Sequence, residues 1–190
     1  MTLTNMSLEQ LEKIRTHSVV SQLCSIFEEY DGIVSLTGGA IIDILSSRMP
    51  KDYDLIVGRG FNYKRLIGFL LSMPEKFKYV CTTKYATTFD FRTEHSTLVV
   101  QVLHHGVEQF DFTISQGQFE FQTKMTRVFS GLFDNFSFKR KELFPVSYEP
   151  KALLNCLCRV TKYKQKGFNM SNVTFDSVVN TLAQTHQNSS

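Results

Sequence analysis

The sequence predicts a mixed chain, α/β of the α+β kind: a small mixed β-sheet flanked by helices, with a short C-terminal helical appendage. Three observations carry this. Apolar residues recur at helical spacing near both ends, the middle is dense in β-branched and aromatic residues broken by short polar links, and 42% of the 190 residues are hydrophobic, including 17 phenylalanines. That length supports one well-filled core. Residues 1–145 are expected to form the main domain and 146–190 the appendage.

Ser7 followed three residues later by Gln10 is a capping-box signal, and Leu8, Leu11 and Ile14 follow at helical spacing. Val19, Leu23, Ile26, Phe27 and Tyr30 continue the pattern to Asp31-Gly32, so residues 7–30 read as helix with a break near His17. "IVSLT" is then a short strand, "GGAIIDILSS" a short helix opened by glycines, "YDLIVG" a second strand, and "NYKRLIGFLLSM" a helix stopped at Pro74. "YVCTTKYATTFDF", "TLVVQVL" and "FDFTIS" read as strands. The stretch from 130 to 150 reads as irregular and is where a domain boundary is expected. From Pro150 the pattern is helical again, with an apolar stripe of Leu153, Leu157 and Val160 and a basic face of Arg159, Lys162 and Lys166. Phe175, Val178, Val179 and Leu182 point to a last helix before a polar tail that is expected to fray.

Composition excludes several classes. No segment approaches the roughly 18 uninterrupted apolar residues of a membrane span, so a soluble protein without a membrane partner is expected. The start, "MTLTNMSLEQLEKIR", lacks the basic and apolar regions of a secretory leader, and a cytoplasmic location is the default expectation. Cys24, Cys81, Cys156 and Cys158 have neither metal-ligand spacing nor disulfide-scaffold density and read as reduced, mostly buried thiols. His104-His105 has no third ligand at metal spacing and more simply ends a strand. The net charge of +3 permits a polyanionic partner, and its weight lies in the C-terminal third, in "FKRKELF" and "RVTKYKQKGF".

The chemistry concentrates at "LTGGAIIDILSSRMPKDYDLIV". In a strand, residues i and i+2 share a face, so Asp52 and Asp54 stand side by side with Cα atoms roughly 6.5 Å apart. Two adjacent anions raise each other's cost unless a cation lies between them, and carboxylate oxygens suit Mg²⁺ or Mn²⁺. Gly38 and Gly39, between a strand and a helix, let a phosphate approach the backbone closely. Taken singly, either feature is more often ordinary turn chemistry.

In combination, strand, Gly-Gly, short helix and Asp-x-Asp resemble the nucleotidyltransferase superfamily that includes DNA polymerase beta, poly(A) polymerases and CCA-adding tRNA nucleotidyltransferases. The stretch is most similar to the head domain of the bacterial-type poly(A) polymerase and CCA-adding group, whose motif reads Gly-Gly-x-x-Arg-Asp-x-Leu, a loop, then Asp-x-Asp. Gly38, Gly39, Asp43, Leu45, Asp52 and Asp54 match it, and Ile42 stands where the family has arginine. A second segment, "EPKALLNCLCRVTKYKQKGFNM", follows the family's basic segment and its Gly-Phe, with Arg159 and Lys162 near the family's two arginines and Gly167-Phe168 on the Gly-Phe. The resemblance spans roughly residues 30–170. The family's later Glu-Asp-x-x-Arg motif is not found, and a tRNA-gripping body lies outside this sequence.

The resemblance implies a nucleotidyltransferase catalytic domain at 1–145 in a short form, with a two-metal mechanism in which Asp52, Asp54 and a third carboxylate are catalytic and hold Mg²⁺ or Mn²⁺. Asp111, in "EQFDFTIS", is the preferred third carboxylate, and Asp90, in "TTFDFRT", the alternative. Gly38, Gly39, Arg159 and Lys162 would bind the nucleotide, although Lys162 and Tyr163 read equally well as surface residues. The implied partners are a nucleoside triphosphate and an RNA acceptor with a tRNA-like 3′ end. Two other readings stand beside this one: a toxin-like or phage enzyme that modifies a protein or another acceptor, and a non-catalytic module that binds nucleotide or RNA.

Overall fold

Ser7 opens the first helix as its spacing requires. In the computed structural model, which describes residues 3–187, the Ser7 hydroxyl accepts the Gln10 N–H while the Gln10 side chain accepts the Ser7 N–H. A two-residue strand, β1 (Thr4–Asn5), precedes this helix, α1 (Leu8–Arg15), and the chain breaks at His17 before α2 (Ser18–Phe27). Strand β2 (Val34–Thr37) leads through Gly38 into α3 (Gly39–Leu45), and β3 (Asp52–Val57) follows. Asn62 caps α4 (Tyr63–Leu71) by accepting the Lys64 N–H. Strands β4 (Phe77–Thr82), β5 (Ala86–Arg92) and β6 (Thr97–Leu103) form a meander, and Thr93 and Ser96 bond across the polar turn between the last two.

The sheet runs β1-β8-β7-β2-β3-β6-β5-β4, with β7 (Gln118–Glu120) and β8 (Ser130–Phe133) on the β2 side. Strands β3 and β6 pair in parallel and the other neighbours are antiparallel. Strand β3 alternates as the sequence requires. Tyr53 and Leu55 are fully buried with Leu36, Phe89 and Val100 on one face, against Leu23 and Phe27 of α2 and Leu66 and Leu70 of α4. Asp52 and Asp54 occupy the other face, where Ile56, Ala86 and Leu103 make a small separate apolar cluster.

After α5 (Asn135–Arg140), α6 (Pro150–Lys164) stands over that second face and α7 (Asn172–Gln187) packs against α6. Leu153, Cys156, Tyr163, Phe168, Met170 and Val178 join the same core cluster as the sheet. Among the described residues no helix is long and apolar enough to cross a membrane. The polar tail after Gln187 lies outside the described residues.

Three local expectations need correction. "FDFTIS" is not a strand: Phe112 makes a single bridge to Pro145, and Thr113–Gln116 is a 3-10 turn. Its hydroxyls are spent elsewhere, Thr113 donating to Asp134 at 2.6 Å and Ser115 pairing with Tyr163, which draws the segment out of any ladder. The stretch from 130 to 150 carries β8 and α5, whose start is fixed by the Asp134 carboxylate accepting the Ser137 N–H. The buried stripe of α6 is Leu153, Cys156 and Tyr163, while Leu157 and Val160 are only half-buried.

Candidate active site

Gly38 holds φ +73°, and a Cβ built there would lie 2.9 Å from Asp54 Oδ2. Only glycine fits, for both backbone and space, and its smallness lets the turn after β2 lie directly against the carboxylate. Asp54 pairs across the sheet with Thr37 on β2 and with Gln101 on β6, and Gln101 in turn donates to Thr88 at 3.2 Å. Asp52, one pleat away on the same side, pairs with Val99.

These residues floor a cleft of about 510 Å³. Its walls are the Gly38-Gly39 turn, the loop with Arg48 and Lys51, the segment from Phe110 to Ser115, and the α6 side chains Arg159, Lys162 and Tyr163. Helical spacing explains the last wall, since i, i+3 and i+4 fall on one face. The helix is fastened by its buried side: the Tyr163 hydroxyl bonds Ser115 Oγ, its ring packs edge-on against Phe112 at 5.0 Å, and Cys156 Sγ donates to the Asp111 carbonyl at 3.0 Å.

The electrostatics are uneven. Burial, and the charge of Asp52 beside it, push the Asp54 carboxyl up to about 7, against the pull of Lys162 and Arg159. Asp111 is answered directly, its Oδ2 lying 3.0 Å from Arg159 Nε. At the opposite end Asp43 is shared between Lys166 Nζ at 2.6 Å and Arg48 Nε at 3.4 Å, and Arg48 also donates to the Lys166 carbonyl at 2.8 Å. The Lys166 ammonium stands 3.4 Å from where a Gly39 Cβ would be.

The structure brings Gly38, Gly39, Asp52, Asp54, Asp111, Arg159 and Lys162 to one cleft. Asp90 is not among its lining residues. It stands on β5 opposite Val99, two strands from Asp52. Tyr163 is buried rather than a surface residue, and Ile42 is fully buried in the core, so no side chain from the family's arginine position reaches the cleft. Arg48, Lys51, Gln101, Ser115 and Lys166 line the site as well. Of these only Lys166 carries a signal, its place in the basic run after Arg159, but it lies past the end of α6 and not on the helical face that the spacing implies.

Asp52 and Asp54 offer, side by side on one face of β3, the hard oxygen donors that Mg²⁺ or Mn²⁺ takes, and a cation bound there would offset the burial and the Asp52 charge that raise the Asp54 carboxyl. The pair therefore fits a divalent cation. Asp111 lines the same cleft with its carboxylate held by Arg159, and among the described residues no three His, Cys, Asp or Glu side chains already stand grouped as for a metal ion.

The fold is shared with solved structures of CCA-adding enzymes. Among solved structures the chain is similar to a CCA-adding enzyme in complex with CTP, at TM-score 0.70 and 15% identity over 99% of this chain and 46% of that one. The Thermotoga maritima CCA-adding enzyme in complex with tRNA gives 0.69 and 14% over 97% and 47%, and a CCA-adding enzyme with ATP gives 0.69 and 14% over 100% and 49%. At such identity the likeness is one of fold, and the chain spans about half the length of each of these structures. No protein-family model and no curated protein sequence matches the chain.

Proposed function

We propose that the chain is a metal-dependent nucleotidyltransferase that transfers a nucleoside monophosphate from a nucleoside triphosphate to the 3′ hydroxyl of an RNA. The observation that carries this reading is the apposition of Gly38 with Asp54 at the floor of a cleft walled by Arg159, Lys162, Arg48 and Lys166. The likeness of fold to CCA-adding enzymes solved with CTP, ATP and tRNA supports the same substrate classes.

Asp52 and Asp54 would hold Mg²⁺ or Mn²⁺, which when bound neutralises charge on the triphosphate and favours the ionised form of an attacking hydroxyl. The chain's own residues do the rest. Gly38 and Gly39 allow close approach of the phosphates, while Lys162, Lys166 and Arg48 supply cations along the cleft. Asp111, with one oxygen fixed by Arg159, is the proposed proton acceptor. The acceptor oxygen forms a bond to the α-phosphorus, the bond from that phosphorus to the bridging oxygen breaks, and pyrophosphate leaves. Such catalysis consists of positioning and charge compensation.

The test is incubation with Mg²⁺ or Mn²⁺ and each labelled nucleoside triphosphate in the presence of total RNA or total protein. Label in RNA, lost in Asp52→Asn and in Asp54→Asn, is expected. Label confined to protein would favour the modifying-enzyme reading, and nucleotide binding without transfer the non-catalytic one.

A further inference from the structure

A second cavity, of about 520 Å³, adjoins the first at the Arg159–Asp111 ion pair. It shares Asp54, Gln101, Phe110, Asp111 and Arg159 with the first, so Asp54 can be approached from two directions. The two linings differ in chemistry. The first cavity adds Arg48, Lys51, Lys162 and Lys166 to the shared arginine, whereas among the described residues the lining of the second adds no lysine, arginine or further carboxylate. Its own side chains are hydroxyls and amides, Thr83, Gln109 and Asn155, with His105, Cys158 and the ring of Tyr85.

A triphosphate belongs where the lysines are. The second lining, an aromatic ring with neutral donors and acceptors, instead suits a nucleoside, whose base stacks and whose sugar bonds to amides and hydroxyls. Tyr85 is 56% exposed, and the Lys84 ammonium stands 4.7 Å from its ring centroid. The ammonium covers one face of the ring and leaves the other for a stacking base, with a cation at hand for the RNA backbone. Transfer also requires donor and acceptor to reach the same catalytic carboxylates, and the two cavities meet at Asp54 and Asp111.

Resting on the nucleotidyltransferase reading, we propose that this second cavity is the acceptor site. It takes the 3′-terminal nucleoside of a single-stranded RNA, with the base against Tyr85, the sugar near Asn155 and Gln109, and the hydroxyl directed at Asp54. The Arg159–Asp111 pair is then the partition between incoming nucleotide and acceptor.

Tyr85 and Asn155 are exposed, so Tyr85→Ala and Asn155→Ala are expected to fold. Steady-state kinetics with Mg²⁺, the accepted triphosphate and a short single-stranded RNA should show the RNA KM of Tyr85→Ala raised about tenfold, the cost of one lost stack, with the nucleotide KM unchanged. Lys166→Met, in the first cavity, should do the reverse. An unchanged RNA KM in both second-cavity variants, or a rise in the nucleotide KM instead, overturns the assignment, as does label that enters only protein. Where the wild-type chain transfers nothing, it is the catalytic reading that fails. Fluorescence anisotropy of a fluorescein-labelled single-stranded RNA then decides the acceptor site by itself: weaker binding by Tyr85→Ala supports it, and equal binding or no binding by the wild type overturns it.

Discussion

The Lys166 ammonium lies 2.6 Å from Asp43 Oδ2, tying the segment after α6 to the helix that follows the Gly38-Gly39 turn across 123 positions of sequence. Arg48 shares the same carboxylate, so one anion answers two cations. Both partners of the closer pair are largely shielded, with side-chain exposures of 19% and 9%. Asp43→Asn leaves those cations uncompensated and is expected to cost about 2 kcal/mol of stability. Urea denaturation measures it, and a variant as stable as the wild type would show the pair to be solvated.

The raised Asp54 carboxyl makes the stability of the metal-free protein depend on pH. Folded, it keeps its proton up to about 7, whereas in the unfolded chain it loses it near the ordinary value of 3.8. Between those values the folded state binds more protons, so stability falls as pH rises from about 4 to about 7. Asp54→Asn removes that loss. In EDTA the variant should exceed the wild type by a few kcal/mol at pH 8 and match it near pH 4. Parallel stability curves for the two proteins would mean that Asp54 is not desolvated.

Gly38→Ala must force a side chain into a positive-φ conformation and against the Asp54 oxygen. The backbone strain alone is of order 2 kcal/mol, and the displaced carboxylate should cost the chain most of its transfer activity. A melting curve reads the first effect and a turnover assay the second. Gly60→Ala is the control, since it shares the positive φ but has nothing within 4 Å of the added carbon. Equal loss of activity in both would make the effect one of strain and not of site geometry.

Thiol reactivity should divide the cysteines into pairs. Burial pushes the Cys24 and Cys156 thiols up to about 12, and the Cys156 thiol is also bonded to the Asp111 carbonyl. Cys81 and Cys158, against the expectation of mostly buried thiols, are exposed, Cys81 on β4 and Cys158 on α6. A chromogenic disulfide reagent should titrate Cys81 and Cys158 quickly in the native protein and the other two only on unfolding. Rapid reaction at Cys156 would show that α6 lifts from the sheet. Cys158 also lines the second cavity, so bound RNA should slow its modification.

Periodicity made the helices and most of the sheet legible, because α1, α2, α4 and the β5–β6 hairpin each advertise their geometry within a dozen residues. Asp52 and Asp54 were legible for the same reason: alternation along β3 places them on one face whatever the rest of the chain does. What escaped reading depends on contacts between distant segments. "FDFTIS" has strand composition, yet its hydroxyls bond to Asp134 and Tyr163, which no local pattern reveals. Arg48 sits in a loop with no spacing to mark it, and enters the cleft only because Asp43 and the Lys166 carbonyl hold it there. Tyr163, in a basic run, reads equally well as a surface residue, and only its distant neighbours Phe112 and Ser115 bury it.

The parallel pairing of β3 with β6 bears on how such a chain is made. Strand β2, the glycine turn and the acidic strand form one contiguous stretch, so they can assemble early as it leaves the ribosome. The arginine and lysines of α6 emerge roughly a hundred residues later. For that interval the nascent molecule carries two neighbouring anions with no counter-charge from its own C-terminal wall. The late helix therefore not only lines the finished cleft but relieves a repulsion built in at its birth.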